Sequence, residues 1–281
     1  MHRRTFIAIT ASTLLAPAGA RAEGERLRVA LTTSTDDSGL ASVIEREAEK
    51  ALGLDIQFIV GGTGQALALG TRSDVDAVLT HAPDAERAFM AEGAAPYRIE
   101  VMRNVFHIVG PESDPAQVAL RENAIEAMRA IADARAPFAS RGDGSGTHLR
   151  ELKLWGALGL DPADFGSEWY RATGRGQGAT LNYAATTGSY TLTDSATWAT
   201  HGNREGLRVL VENGDELENI YGYMPVANGA NVEGAERFGA WLAGPEGRAV
   251  IDGFRPAGER LFDPLGRLDP TSPSAPAFKA N

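Results

Sequence analysis

Four short stretches of this 281-residue chain hold residues able to bind or transform a small polar group: Thr32-Thr33-Ser34-Thr35, Gly61-Gly62-Thr63-Gly64, SRGDGSGTH at 140–148, and GRGQGAT at 174–180. Each places glycine or small hydroxyl residues where a strand-like run gives way to a helix-like one. The first N–H groups of a helix have no intrahelical partner and lie at the positive end of its dipole, so an oxyanion placed there accepts several hydrogen bonds at once. Glycine lets the backbone come close, and hydroxyls add donors. Taken singly, each stretch reads more simply as an N-cap worth about 1 kcal/mol to its helix. Four of them, spread over both halves of the chain, point to one shared cleft.

Arg141 brings permanent positive charge and a planar fork to the third stretch, a geometry that meets two oxygens of one anion. Asp143, two positions on, is its natural local partner, and a carboxylate that holds the guanidinium also orients it. Catalytic alternatives fit poorly. GDGSG lacks the G-x-S-x-G pattern of a nucleophile elbow, so a serine hydrolase would need Ser145 to meet a distant histidine. There is no phosphate-binding G-x-x-x-x-G-K-[ST], and GRGQGA is not set in a dinucleotide-binding frame. His2, His81, His107, His148 and His201 form no H-x-x-x-H pair. His148 reads as a first-turn helix residue bonded to Glu151 or solvent. No cofactor, no resident metal and no enzymatic activity are expected.

The elements that must position these stretches alternate. Strand-like RLRVALTT (26–33) precedes a helical pattern over 38–53; strand-like LDIQFIVGG (54–62) precedes a glycine-led helical turn; DAVLTHAP (76–83) reads as a short strand. EVMRNVFHIVGP (100–111), a helix over 123–134, strand-like APFASR (136–141) and a helix over 147–159 continue the pattern. LRVLVENG (207–214) and YGYMPVAN (221–228) read as strands, followed by a final helix and an irregular, proline-rich surface tail from Arg255. This is an α/β chain with a mostly parallel sheet. Crossings near Phe106–Gly110 and Val211–Tyr221 predict two lobes around a ligand cleft, an interrupted lobe 1 (23–107 and 221–281) and a continuous lobe 2 (108–220).

Residues 1–22 read as a cleaved secretory signal: Arg3 and Arg4, an apolar stretch from Phe6 to Leu15, then small residues ending at Ala22. The stretch falls short of the roughly 20 apolar residues of a membrane span, so export without an anchor is expected, by the general route or the twin-arginine route. With no cysteine, disulfides and thiolate chemistry are excluded. The net charge is −10, and removing Arg3, Arg4 and Arg21 makes the mature chain more acidic still. Such a surface repels nucleic acid. An anionic ligand must therefore be attracted locally.

TTSTDDSGL (32–40), GGTGQALALG (61–70), DVDAVLTHAP (74–83), SRGDGSGTHLRELKLW (140–155), TGRGQGATLN (173–182) and SYTLTD (189–194), in this order, resemble successive motifs of the periplasmic tungstate-binding proteins of ABC importers. The resemblance implies a type II solute-binding fold: two α/β lobes closing on a tetrahedral oxyanion, tungstate or molybdate, for delivery to a membrane permease by a monomeric receptor. Carried over by motif, it implies that Thr33, Ser34, Thr35, Thr63, Arg141, Ser145, Gly146, Thr147, Gly178 and Thr180 surround the anion. Leu31, Gly144 and Ser195 depart from the family pattern, the last standing where an arginine is expected. R-x-D-x-S-G-T also resembles the phosphate-binding motif. Phosphate near neutral pH carries a proton that needs an acceptor, whereas tungstate and molybdate need donors only. A carboxylate facing the ligand, from Asp36, Asp37 or Asp143, would favour phosphate.

Overall fold

The computed structural model describes residues 25–256 and 258–273, so the expected signal segment lies outside the described residues. In the first stretch of chain, β1 (Glu25–Thr32), a short helix α1 (Thr33–Asp37), α2 (Leu40–Leu52), β2 (Leu54–Gly61), α3 (Thr63–Thr71), β3 (Ala77–Thr80) and α4 (Pro83–Ala91) lead into the long strand β4 (Ile99–Pro111). There follow α5 (Ala124–Ala134), β5 (Phe138–Ser140), α6 (Gly146–Ala157), β6 (Tyr170–Ala172), α7 (Gln177–Thr187), β7 (Thr191–Asp194), α8 (Ser195–Thr200) and β8 (Leu207–Val211). The chain then returns through β9 (Glu218–Pro225), α9 (Val232–Ala243), α10 (Pro245–Gly253) and β10 (Asp263–Leu268).

The main path of the large sheet runs β10-β4-β9-β3-β1-β2. β1 pairs in parallel with β2 and β3, placing Thr32 opposite Gly61 and Leu31 opposite Leu79. Along β1, Leu27, Val29 and Leu31 enter one core with Ile44, Phe238 and Leu242, while Ala30 faces a second core with Phe89 and Met224. Burial on both faces explains why this strand reads as a nearly continuous apolar run. Gly53, left-handed at φ 69, ends α2 and turns the chain directly into β2.

β4 changes partners along its length. Ile99 to Val105 pair with β9, whereas Phe106 to Pro111 pair with β7 and β8. A third core forms around Phe106, Ile108, Phe138, Trp155 and Tyr190, beside the parallel pair β5-β6.

Three expectations are corrected. The large sheet is mixed, because β9 and β10 return antiparallel and β7 and β8 also pair antiparallel with β4. The final helix is two, α9 and α10, divided at Gly244 with Pro245 starting the second, as a missing N–H and a fixed φ dictate. The tail is not irregular throughout: β10 pairs with the free edge of β4, and Leu261 and Phe262 are buried.

Candidate functional site

The carboxyl ends of the parallel strands set the site. β2 ends at Gly61, β1 at Thr32 and β3 at Thr80, side by side in register, and helices α3, α1 and α4 start beyond them. In α/β sheets the crevice outside the carboxyl ends is where ligands bind, since helix starts and small residues gather there. The first two chemistry-bearing stretches thus become neighbours. Thr32 Oγ1 lies 3.2 Å from both Ser34 Oγ and Thr35 Oγ1. Ser34 and Thr35 are buried and Thr33 half-buried.

His81, just past β3, joins these stretches to the third. Its Nε2 lies 3.0 Å from Ser34 Oγ and its Nδ1 2.9 Å from Asn219 Oδ1. The ring stacks on Tyr221 at 4.8 Å between centroids. On its other side stands Gly146 at the start of α6, where a Cβ would fall 2.6 Å from Nε2. Only glycine fits so close an approach. Burial holds the imidazole below its ordinary pKa; the hydrogen bond to Asn219 and the charges of Asp194 and Glu86 oppose that, while Arg141 adds to it.

The third stretch forms a loop between β5 and α6. Arg141 is buried, and its Nη2 and Nε donate to Asp143 Oδ2 at 2.6 and 3.1 Å. The other carboxylate oxygen accepts from the Ser145 N–H at 3.1 Å. Burial raises the Asp143 pKa, but the hydrogen bonds from Ser145 and the Arg141 charge outweigh it and hold the carboxyl below its usual range. Ser145 caps α6, its Oγ accepting from His148 N at 3.3 Å, while its hydroxyl hydrogen-bonds the Asp143 carboxylate. Thr147 follows, buried, and its Oγ1 has no hydrogen-bond partner. Thr63 Oγ1, at the first turn of α3, is buried and unpartnered in the same way.

The fourth stretch packs against the third through backbone bonds, Gly174 N to Arg141 O at 2.8 Å and Thr173 N to Ser140 O at 2.9 Å. Here the predicted residues divide. Thr180 spends its hydroxyl on Thr173 Oγ1 and the Gly176 carbonyl. Gly178 lies near His201, 3.8 Å from where its Cβ would be. Sequence reasoning missed His81, Asn219 and the buried Asp194, whose two oxygens accept from Thr197 N and Oγ1. The position of His81 beyond β3, matching Thr32 beyond β1, was the signal available.

Among the described residues no histidine ring meets Ser145 Oγ; His148 Nδ1 accepts from Gly144 N at 3.0 Å rather than meeting Glu151. Asp37, exposed beside the site, has its carboxyl raised by burial, then by Asp36 and Asp194, against the pull of Arg141. A groove of ≈ 240 Å³ between the starts of α4 and α6 is lined by His81, Gly146, Arg150 and Lys153, and the Lys153–Asp84 ion pair, 2.9 Å, spans it.

The PBP superfamily domain pattern matches residues 18–246. The chain is 36% identical over 244 residues to the tungstate-binding protein TupA of Peptoclostridium acidaminophilum, covering 84% of each. Its fold is similar to that of the tungstate ABC transporter protein of Geobacter sulfurreducens, with TM-score 0.72 and 41% identity over 82% of this chain and 99% of that one. A similar match is to TupA of Desulfovibrio alaskensis G20, with TM-score 0.72 and 37% identity over 86% and 99% of the two chains.

Proposed function

The chain belongs to the PBP superfamily, among relatives that include a tungstate-binding protein and a tungstate ABC transporter, and from that premise we propose that it is an exported receptor for a dianionic tetrahedral oxyanion, tungstate or molybdate, which it presents to a membrane permease. The observation that carries this reading is the pair of buried, unpartnered hydroxyls, Thr63 Oγ1 and Thr147 Oγ1, each in the first turn of its helix. A buried polar group left unpaired costs about 1–3 kcal/mol. Two at helix starts, one of them in the Arg141 stretch, are donors left unspent before a ligand arrives. Such preorganised donors stabilise an anion at little reorganisation cost.

In this reading Ser34, Thr35, Thr63, Arg141, Ser145, Gly146 and Thr147 surround the anion, with Thr33 at the rim. Gly178 and Thr180 act from behind: the hydroxyl of Thr180 ties the fourth stretch to itself, and the backbone of that stretch supports the Arg141 loop. The lobes divide as 23–107 with 221–281, and 108–220. The change of partners of β4 at Val105 and Phe106 supports this division, as do the separate cores on either side. Cleavage after Ala22 delivers the mature chain to the periplasm as a monomer.

Phosphate is the competing ligand, and the raised carboxyl of Asp37 near Arg141 is the feature in its favour. Thermal unfolding in a non-phosphate buffer against tungstate, molybdate, sulfate and phosphate separates the readings. A ligand at a hundredfold excess over its Kd adds about 2.7 kcal/mol. A shift with tungstate or molybdate supports the proposal; a shift with phosphate alone reassigns the receptor, and no shift with any anion removes the reading.

A further inference from the structure

His81 lies where the first and third stretches meet, and its hydrogen bonds fix which way protons run in the site. The Asn219 amide is oriented by its own Nδ2, which donates to Asn104 Oδ1 at 2.7 Å and to Tyr221 Oη at 3.2 Å. With the amide in this orientation its Oδ1 faces the ring as an acceptor, which puts the hydrogen of a neutral ring on Nδ1. A neutral imidazole has one N–H, so Nε2 presents a lone pair to Ser34 and the Ser34 hydroxyl donates into it. With its proton committed, Ser34 offers an incoming anion only lone pairs. A second proton on the ring reverses the bond: Nε2–H donates to Ser34 Oγ, and the Ser34 hydrogen is released from the ring, to be shared between Thr32 Oγ1 at 3.2 Å, Tyr221 and an incoming anion.

Resting on the receptor reading, we propose that His81 is a positioning residue whose ring takes up one proton from solvent as a dianion enters, converting Ser34 from a donor to the ring into a donor to the ligand. The groups facing the ring set the balance. Asp194 at the start of α8 and Glu86 on α4 favour its charged form, whereas Arg141 opposes it. Glu86 is engaged by Thr80, the Ala82 N–H and Arg98, and Asp194 by Thr197, so neither moves to meet the ring. Gly146 brings the positive end of α6 against the ring, a further opposing field. Phe106 and Tyr221 flank it, and the groove it lines also holds Arg150, stacked over Phe106, a further cation opposing the charged ring. Burial then leaves the ring neutral at rest, and two negative charges beside it tip the balance. Because Asp143 already pairs with Arg141, the protonated ring supplies the second cation that a dianion needs.

The test is calorimetric titration of sodium tungstate into the chain at about pH 6, 7 and 8, in buffers of differing ionisation enthalpy at each pH. The expected result is uptake approaching one proton per tungstate, with affinity falling up to about tenfold per pH unit where the ring is neutral when free and charged when bound. His81→Gln, which offers Ser34 a fixed amide donor, is expected to bind with no proton uptake and a flat pH profile. Binding by the unaltered chain with no uptake at any of these pH values overturns the relay alone, as does uptake that persists in His81→Gln. No binding heat and no stabilisation by tungstate, molybdate or phosphate overturns the receptor reading and the relay with it.

Discussion

Replacing Thr147 with valine separates a binding hydroxyl from a structural one, because the two roles predict opposite signs. Thr147 Oγ1 is buried without a partner, so in the free chain it contributes a desolvation cost of about 1–3 kcal/mol and no compensating bond. Valine keeps the branched shape and removes that cost. The ligand-free variant should gain stability, and at roughly 2–4 °C per kcal/mol for a chain of this size the midpoint should rise by several degrees. A hydrogen bond to a charged group is worth about 1.5–3 kcal/mol, so tungstate affinity should fall by about 10- to 150-fold. Denaturant unfolding of the free protein and calorimetric titration of the ligand measure the two effects independently. A variant that loses stability while keeping its affinity would refute the reasoning, since the hydroxyl would then be serving the fold.

Arg141→Ala should weaken tungstate binding by about 2–5 kcal/mol, because it removes a buried charged partner and leaves Asp143 without its counter-ion; wild-type affinity by titration would remove Arg141 from the site. Burial pushes the Glu151 carboxyl up to about 7 against hydrogen bonds from Tyr170, Ser140 and Trp155. The contribution of a group with a raised folded pKa is fully present below its unfolded value of about 4.3 and is lost as pH rises through the folded value. The native chain should therefore lose on the order of 3 kcal/mol between roughly pH 4 and 7 from this group, and Glu151→Gln should not; parallel urea-unfolding profiles for the two would contradict it. Asp84→Asn breaks the ion pair with Lys153 across the groove, but both side chains are more than half exposed. Stopped-flow dissociation should therefore accelerate by no more than about fivefold, and less in high salt.

Much of the candidate site was legible because its chemistry is local. Glycine, serine and threonine gathered at strand-to-helix junctions carry their meaning in a few consecutive residues, and the register of β1 with β2 and β3 then aligns them. What escaped notice depends on distant partners. His81 acts through Asn219, 138 positions away, and a lone histidine after a short strand has no spacing pattern to betray it. β10, with sequence DPLGRL, has neither alternation nor an apolar run; it is a strand because β4 offers it an open edge. The same cause explains the mixed sheet, since periodicity identifies strands but says nothing of the direction in which a late segment returns. The Thr180 hydroxyl looked available for the same reason, its partner Thr173 being visible only once α7 folds back.

The order β4-β9-β3 within the large sheet fixes a sequence of events in the life of the chain. β3 and β4 are near neighbours along the polypeptide, yet the strand that lies between them is made only after all of α5 to β8. A nascent chain that ends before Glu218 has two unpaired strand edges facing each other across a gap, the kind of template that invites association with other chains. Its middle segment, by contrast, already has its own core around Phe138 and Trp155. The large sheet can therefore close only after β9 is made, and until then a growing chain exposes the strand edges that β9 later joins.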